Sequence, residues 1–156
     1  MYILLTNNNF MKKIFFILLS ILFSQQIFSQ NLFDEVFEGC NTDKFTVESD
    51  SISLQPKNAI LGILRNSFDK ETVKIIDGLL VLQILVDLEG NSCLLSVQNE
   101  TNKKTEQLNL KNIIDNNLKW EIPKEKKSAI IAIQFSEIVE AKRVGLSSEK
   151  GFHELE

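Results

Sequence analysis

Few residues in this chain are equipped for chemistry. Cys40 and Cys93 are its two cysteines and His153 its one histidine. A zinc site or a nucleophile–histidine–acid triad needs more thiols and imidazoles than that, so the sequence assigns no catalytic residue, no metal and no cofactor. Two carboxylates are enough for glycoside hydrolysis, and Asp87 and Glu89 flank a turn with even spacing. No apolar run forms a pocket around them, so solvated turn acids are the simpler reading. The cysteines leave two readings open. In an oxidising compartment they form one bridge across a separation of 53 residues, which chain entropy values at about 4 kcal/mol. Otherwise Cys93 is a buried free thiol between apolar neighbours.

Charge narrows the partners. The chain has 156 residues, 17 Lys+Arg, 21 Asp+Glu and a net charge of -4. A nucleic-acid binder needs cations to displace phosphate counterions, so no nucleic-acid partner is expected. Lys124, Lys126 and Lys127 sit beside Glu121 and Glu125 and read as a solvated loop. Trp120 and Pro123 (WEIP) read as a structural plug where a helix gives way to a strand.

Residues 11–30 (MKKIFFILLSILFSQQIFSQ) have the charged, apolar and small-residue layout of a secretory signal peptide. Met11 fits as the start of translation, and cleavage fits after Ser29. The apolar run is about half the twenty or so residues that a membrane span needs, so no stable span remains after cleavage. Removing residues 1–29 takes away Lys12 and Lys13 and no acid, which leaves the exported chain more acidic still.

The elements that must position these residues follow from periodicity. Residues 30–53 read as an irregular lead-in. A short helix follows Pro56 with Ile60, Ile63, Leu64 and Phe68 on one face, and Asp69 caps a second turn. Gly78 opens a strand apolar on both faces (LLVLQILVDL, 79–88), as a central strand should be. Glu89-Gly90-Asn91 reverses the chain, with Gly90 free to take positive φ. A second strand spans 92–98, with Cys93, Leu95 and Val97 on one side and Leu94 as the exception on the other. A polar loop at 99–105 leads to a helix over 106–118 with Leu110, Ile113, Ile114 and Leu118 as its stripe. A last strand covers 128–135, and the charged tail 140–156 closes the chain. The expected class is α+β: a small antiparallel three-stranded sheet with helices on one face, in the order helix-strand-strand-helix-strand, within a domain at 54–139.

That order, with GLLVLQILVDLEGN (Gly78, Asp87, Gly90), WEIP (Trp120, Pro123) and IIAIQF (130–135), resembles the C-terminal domain of the TonB energy-transducer family. The resemblance covers about half of the chain. It departs at FDKETVKII (68–76), where the family usually has a Tyr-Pro pair, and at KEKKS (124–128), which lacks the usual Gly and Pro. The long proline-rich spacer of a full transducer is also missing, since the chain holds two prolines.

The resemblance implies a non-enzymatic, periplasmic or secreted protein-binding domain of a Gram-negative envelope, acting in transport or assembly. It implies that the last strand is a sheet edge, where Ile130, Ile131, Ala132, Ile133, Gln134 and Phe135 pair with an extended segment of an outer-membrane receptor or envelope complex. A homodimer through strand pairing at 92–98 is a further implied partner. The reading from another class is a secreted inhibitor or immunity-like module that binds through its loops.

Overall fold

A computed structural model describes residues 31–47, 54–147 and 151–154. The signal-peptide reading of residues 1–29 lies outside the described residues. No helix among those described is long and apolar enough to cross a membrane.

The protein is α+β. Its sheet is centred on three long antiparallel strands: β3 (Gly78–Val86), β4 (Ser92–Thr101) and β5 (Lys127–Phe135), with β3 between the other two. The expected trio is therefore present, but three is too few. β1 (Glu35–Val36) pairs antiparallel with β4, and β2 (Thr46–Val47) pairs parallel with the start of β5. Beyond β5 the chain turns back as β6 (Glu140–Ser147) and β7 (Gly151–Glu154), and the seven strands form one mixed sheet. The lead-in, expected to be irregular, and the charged tail thus both join the sheet.

β3 is central because its two faces are covered by different things. Leu80, Leu82, Ile84 and Val86 point into the main core. There they meet Ile60 and Leu64 of α1 (Ile60–Ser67), Leu108 of α3 (Thr105–Leu108) and Leu110, Ile113 and Ile114 of α4 (Leu110–Asn117). All of the buried helical side chains face this side of the sheet. On the other side, Val81 and Ile130 pack under Phe33 of the lead-in. Gln83 lies on that second face and is fully buried, and its Oε1 accepts from Ser96 Oγ at 2.6 Å and from the Leu32 N–H at 2.8 Å. A buried amide oxygen left without donors would cost about 1–3 kcal/mol, so this node fixes where the lead-in crosses.

Three local departures have physical causes. The pairing of β3 with β4 slips between Gln83 and Ile84, where Ser96 and then Leu94 are their partners, leaving Leu95 as an extra residue. This bulge lets Leu94 and Val97 both enter the main core, which strict alternation would forbid. The single helix expected at 106–118 is two, α3 and α4, because Asn109 sits in the left-handed region at φ 48. The first helix starts at Ile60 rather than at Pro56, which instead bridges Trp120. The cap of α2 (Lys70–Ile75) is as read: Asp69 accepts from the Glu71 and Thr72 N–H groups.

Glycines set the two ends of β3. Gly78 has φ 113, and a Cβ there would lie 2.4 Å from the Glu100 carbonyl oxygen. Gly90, at φ 79 in the turn, would put a Cβ 2.6 Å from the Trp120 carbonyl oxygen.

Candidate functional site

Of the six residues expected at a free edge, residues 130–134 are paired on both sides, and Phe135 pairs with Gly78 of β3. Ile131, Ile133 and Phe135 are buried in the main core, and Ile130 lies under Phe33 on the opposite face. Ala132 is partly buried on that opposite face, and Gln134 is exposed. β5 pairs with β3 along its whole length, and its other side is taken by β6 at residues 130–134 and by β2 at Lys127 and Ser128. The edge assignment at 130–135 is therefore corrected. Its cause is the tail: β6 sends Ala141 and Arg143 toward the main core, and a charged residue at a core-facing position hides the alternation that marks a strand.

The open edge moves outward to β6. There β7 pairs with Val144 to Ser147, and among the described residues no strand pairs with residues 140–142 on that side. The turn before this stretch carries Ile138, 73% exposed, and Val139, 43% exposed. Beside it lies a cavity of about 360 Å³ lined by Leu61, Leu64, Phe68, Val73, Ile76, Phe135 and Val139, with Arg65 as its charged member. An outer stretch of β6, exposed aliphatic side chains and an apolar cavity thus meet at one corner of the sheet. Together they form the candidate interface.

The opposite edge is built differently. β1 covers Ser96 and Val97 of β4. Past it, the Thr101 N–H is taken at 3.0 Å by the Asn99 side chain, whose amide nitrogen donates to the Lys103 carbonyl and to Thr105 Oγ1. A side chain thus takes the Thr101 N–H at the end of β4, a donor that an added strand would need.

Asp87 caps the turn. Asp87 accepts from the Glu89 N–H at 2.9 Å, the Asn91 N–H at 2.8 Å and the Asn91 side-chain amide at 2.9 Å. Partial burial pushes its carboxyl up, but the hydrogen bonds from Asn91 and Glu89 outweigh that and hold it below the ordinary carboxylate range. A carboxylate with three donors already engaged is a turn cap rather than a general acid.

Trp120 is fully buried at the junction between α4 and β5, and Pro123 is buried beyond it. Its indole N–H donates to Ser92 Oγ, and the Arg143 guanidinium stacks 5.0 Å from its ring centroid. Desolvation lowers the Arg143 pKa to about 10.

Cys40 and Cys93 are joined as a disulfide with Cα atoms 5.7 Å apart, which decides between the two readings of the cysteines. It clasps the lead-in to β4 halfway between β1 and β2. Sequence reasoning missed what surrounds it. Lys111 Nζ sits 3.3 Å from Cys93 Sγ and 3.6 Å from Cys40 Sγ, and it pairs with Asp115 at 2.7 Å. Asp115 also accepts from the Leu94 N–H at 2.7 Å. The only sequence signal was an i,i+4 pair on α4, which reads as an ordinary surface ion pair.

Compared with known proteins, the chain matches no family model, no curated protein and no solved structure.

Proposed function

We propose that this chain is an exported, non-enzymatic protein-binding domain of the TonB C-terminal type, which takes an extended segment of a partner onto the edge of its sheet. The observation that carries the reading is the corner at β6: residues 140–142, with which no strand among the described residues pairs on the outer side, next to exposed Ile138 and Val139 and an apolar cavity. A strand added there gains main-chain hydrogen bonds, and one apolar side chain of the segment fills the cavity and sets register. The central antiparallel trio with a Gly90 turn supports the family resemblance. A disulfide clasping the lead-in supports residence in an oxidising compartment, here the periplasm or exterior of a Gram-negative cell. The partner is then a segment of an outer-membrane receptor or of an envelope transport or assembly complex. A second copy of the chain is the other occupant of the same edge.

A loop-binding reading, as an inhibitor or immunity-like module, has one observation in its favour. Leu88 is 50% exposed at the tip of the β3–β4 turn, beside the acids Asp87 and Glu89.

Photo-crosslinking in the native envelope separates the two, with probes at Val139, Lys142 and Leu88. Capture of an extended receptor or assembly-factor segment at Val139 and Lys142, abolished by Ile138→Asp, supports edge binding. Capture of a folded enzyme at Leu88 alone sinks it. Sedimentation of the purified chain reports whether a second copy takes the edge.

A further inference from the structure

We infer that the Cys40–Cys93 disulfide is a thiol–disulfide exchange site, with Cys40 as the sulfur attacked and Cys93 as the sulfur that leaves. This does not depend on the partner-binding reading. A buried structural bridge is shielded by apolar side chains, but both of these cysteines are partly exposed, and a lysine ammonium faces both sulfurs. The two sides differ in access. Cys40 lies in the irregular lead-in between exposed residues, Glu38 and Gly39 before it and Asn41 after it. Cys93 lies in β4 between buried Ser92 and Leu94, with α4 packed above it. Cys40 is thus flanked by solvated chain and Cys93 by buried neighbours, while Cys93 also borders a cavity of about 480 Å³ with Asn41, Leu85 and Lys126.

The electrostatics point the same way, with one opposing group. Lys111 Nζ is nearer to Cys93 Sγ (3.3 Å) than is Asp115 Oδ2 (3.8 Å). Negative charge developing on Cys93 therefore forms in contact with a cation, while Asp115 holds that cation in place and partly offsets it.

The substrate class is a dithiol reductant. Its first thiolate attacks Cys40 Sγ, and a mixed disulfide forms as the Cys40–Cys93 bond breaks. The bonding electron pair leaves on Cys93 as a thiolate beside Lys111. The second thiolate of the reductant then attacks its own sulfur in the mixed disulfide and releases Cys40. Two electrons pass to the protein, the reductant departs as a disulfide, and the two protons it loses are available to the new thiolates. The lead-in between β1 and β2 then loses its covalent clasp.

The test uses the full exported chain, oxidised, with dithiothreitol as the dithiol and reduction followed by alkylation and mass. A better leaving thiolate leaves faster, so Lys111→Gln should slow reduction roughly fivefold at pH 7 and Asp115→Asn should speed it by a comparable factor. The opposite signs matter. If the ion pair merely braced the fold, both variants would loosen the clasp and both would be reduced faster, which overturns the proposal. Glutathione, a monothiol, should be captured on the Cys40 peptide. Capture on Cys93, or rates that neither variant changes, also overturns it.

Discussion

The Trp120 indole N–H donates to Ser92 Oγ at 2.8 Å, and Ser92 Oγ donates onward to the Leu118 carbonyl at 2.7 Å, all within the core. One hydroxyl at the start of β4 thereby satisfies the donor of the largest core side chain and a carbonyl at the end of α4. The same corner receives the Trp120 N–H at the Gly90 carbonyl, 2.9 Å away, so the turn, the helix end and the indole are locked together.

Ser92→Ala should therefore cost about 2 kcal/mol, since it strands a buried indole N–H and a buried carbonyl at once. Ser92→Thr keeps the hydroxyl and should cost less. Urea denaturation followed by Trp120 fluorescence measures both. A loss below about 0.5 kcal/mol for the alanine variant, the size typical of a surface change, would mean that water replaces the hydroxyl.

Glycine substitutions should split by position. Gly90→Ala and Gly78→Ala each combine a positive φ with a Cβ driven into backbone oxygen, at 2.6 and 2.4 Å, so each should lose about 2 kcal/mol or more. Gly62 is exposed within α1, and nothing lies within 4 Å of a Cβ there. Gly62→Ala should raise stability by about 0.5–1 kcal/mol. Thermal melts of the three variants check the split, and destabilisation by Gly62→Ala would show that α1 is not limited by its own propensity.

The core trio was legible because its residues obey simple periods. β3 is apolar on both faces, which marks a central strand, and β5 alternates around Ile131 and Ile133, which marks a strand; the neighbour of β5 on its outer side was not read. What was not legible is what two-residue strands and a buried cation contribute. β1 and β2 are too short to show a period, and the lead-in covers the second face largely through one plug, Phe33. β6 offers Ala141 and Arg143 to the core, which looks like a charged tail in sequence. Missing β6 placed the edge at 130–135 instead of on β6, and with it the candidate interface. The bulge at Leu95 was hidden for a related reason, since Leu94 breaks an alternation that only the shifted register explains. The cysteine pair could be named but not joined, because sequence spacing says nothing about Cα separation.

Acid should unfold the protein partly through Asp87. Hydrogen bonds hold its carboxyl below the ordinary value in the folded state, so its stabilisation is fully present above the unfolded pKa of about 4. It is lost as pH falls through the lower folded value. Asp69 adds in the same direction, held down first by its Thr72 side-chain partner. Asp87→Ala should lower stability at pH 7 and flatten the decline below about pH 4. Urea midpoints from pH 7 to pH 2 test this; parallel curves for the variant and the parent would remove Asp87 from the acid response.

Arg143 gives the sharpest contrast between two conservative changes. Its guanidinium donates to the Leu54 carbonyl and stacks on Trp120, and desolvation lowers its pKa to about 10. Burial thus costs the folded state something that the stacking and the hydrogen bond must offset. A planar, weakly hydrated guanidinium suits this position, and a strongly hydrated ammonium does not. Arg143→Lys keeps the charge but loses the fork and the flat stack, so it should cost about 2 kcal/mol. Arg143→Met removes the desolvation burden along with the hydrogen bond and fills the space over the indole, so it should cost less, about 1 kcal/mol. Because an amine that loses its proton is no longer penalised by burial, the lysine variant should also recover stability as pH rises toward 10, while the methionine variant should not. Equilibrium unfolding of both variants at pH 7 and pH 9.5 decides the point. If lysine proves the milder substitution at pH 7, the charge rather than the guanidinium plane is what this corner of the core requires.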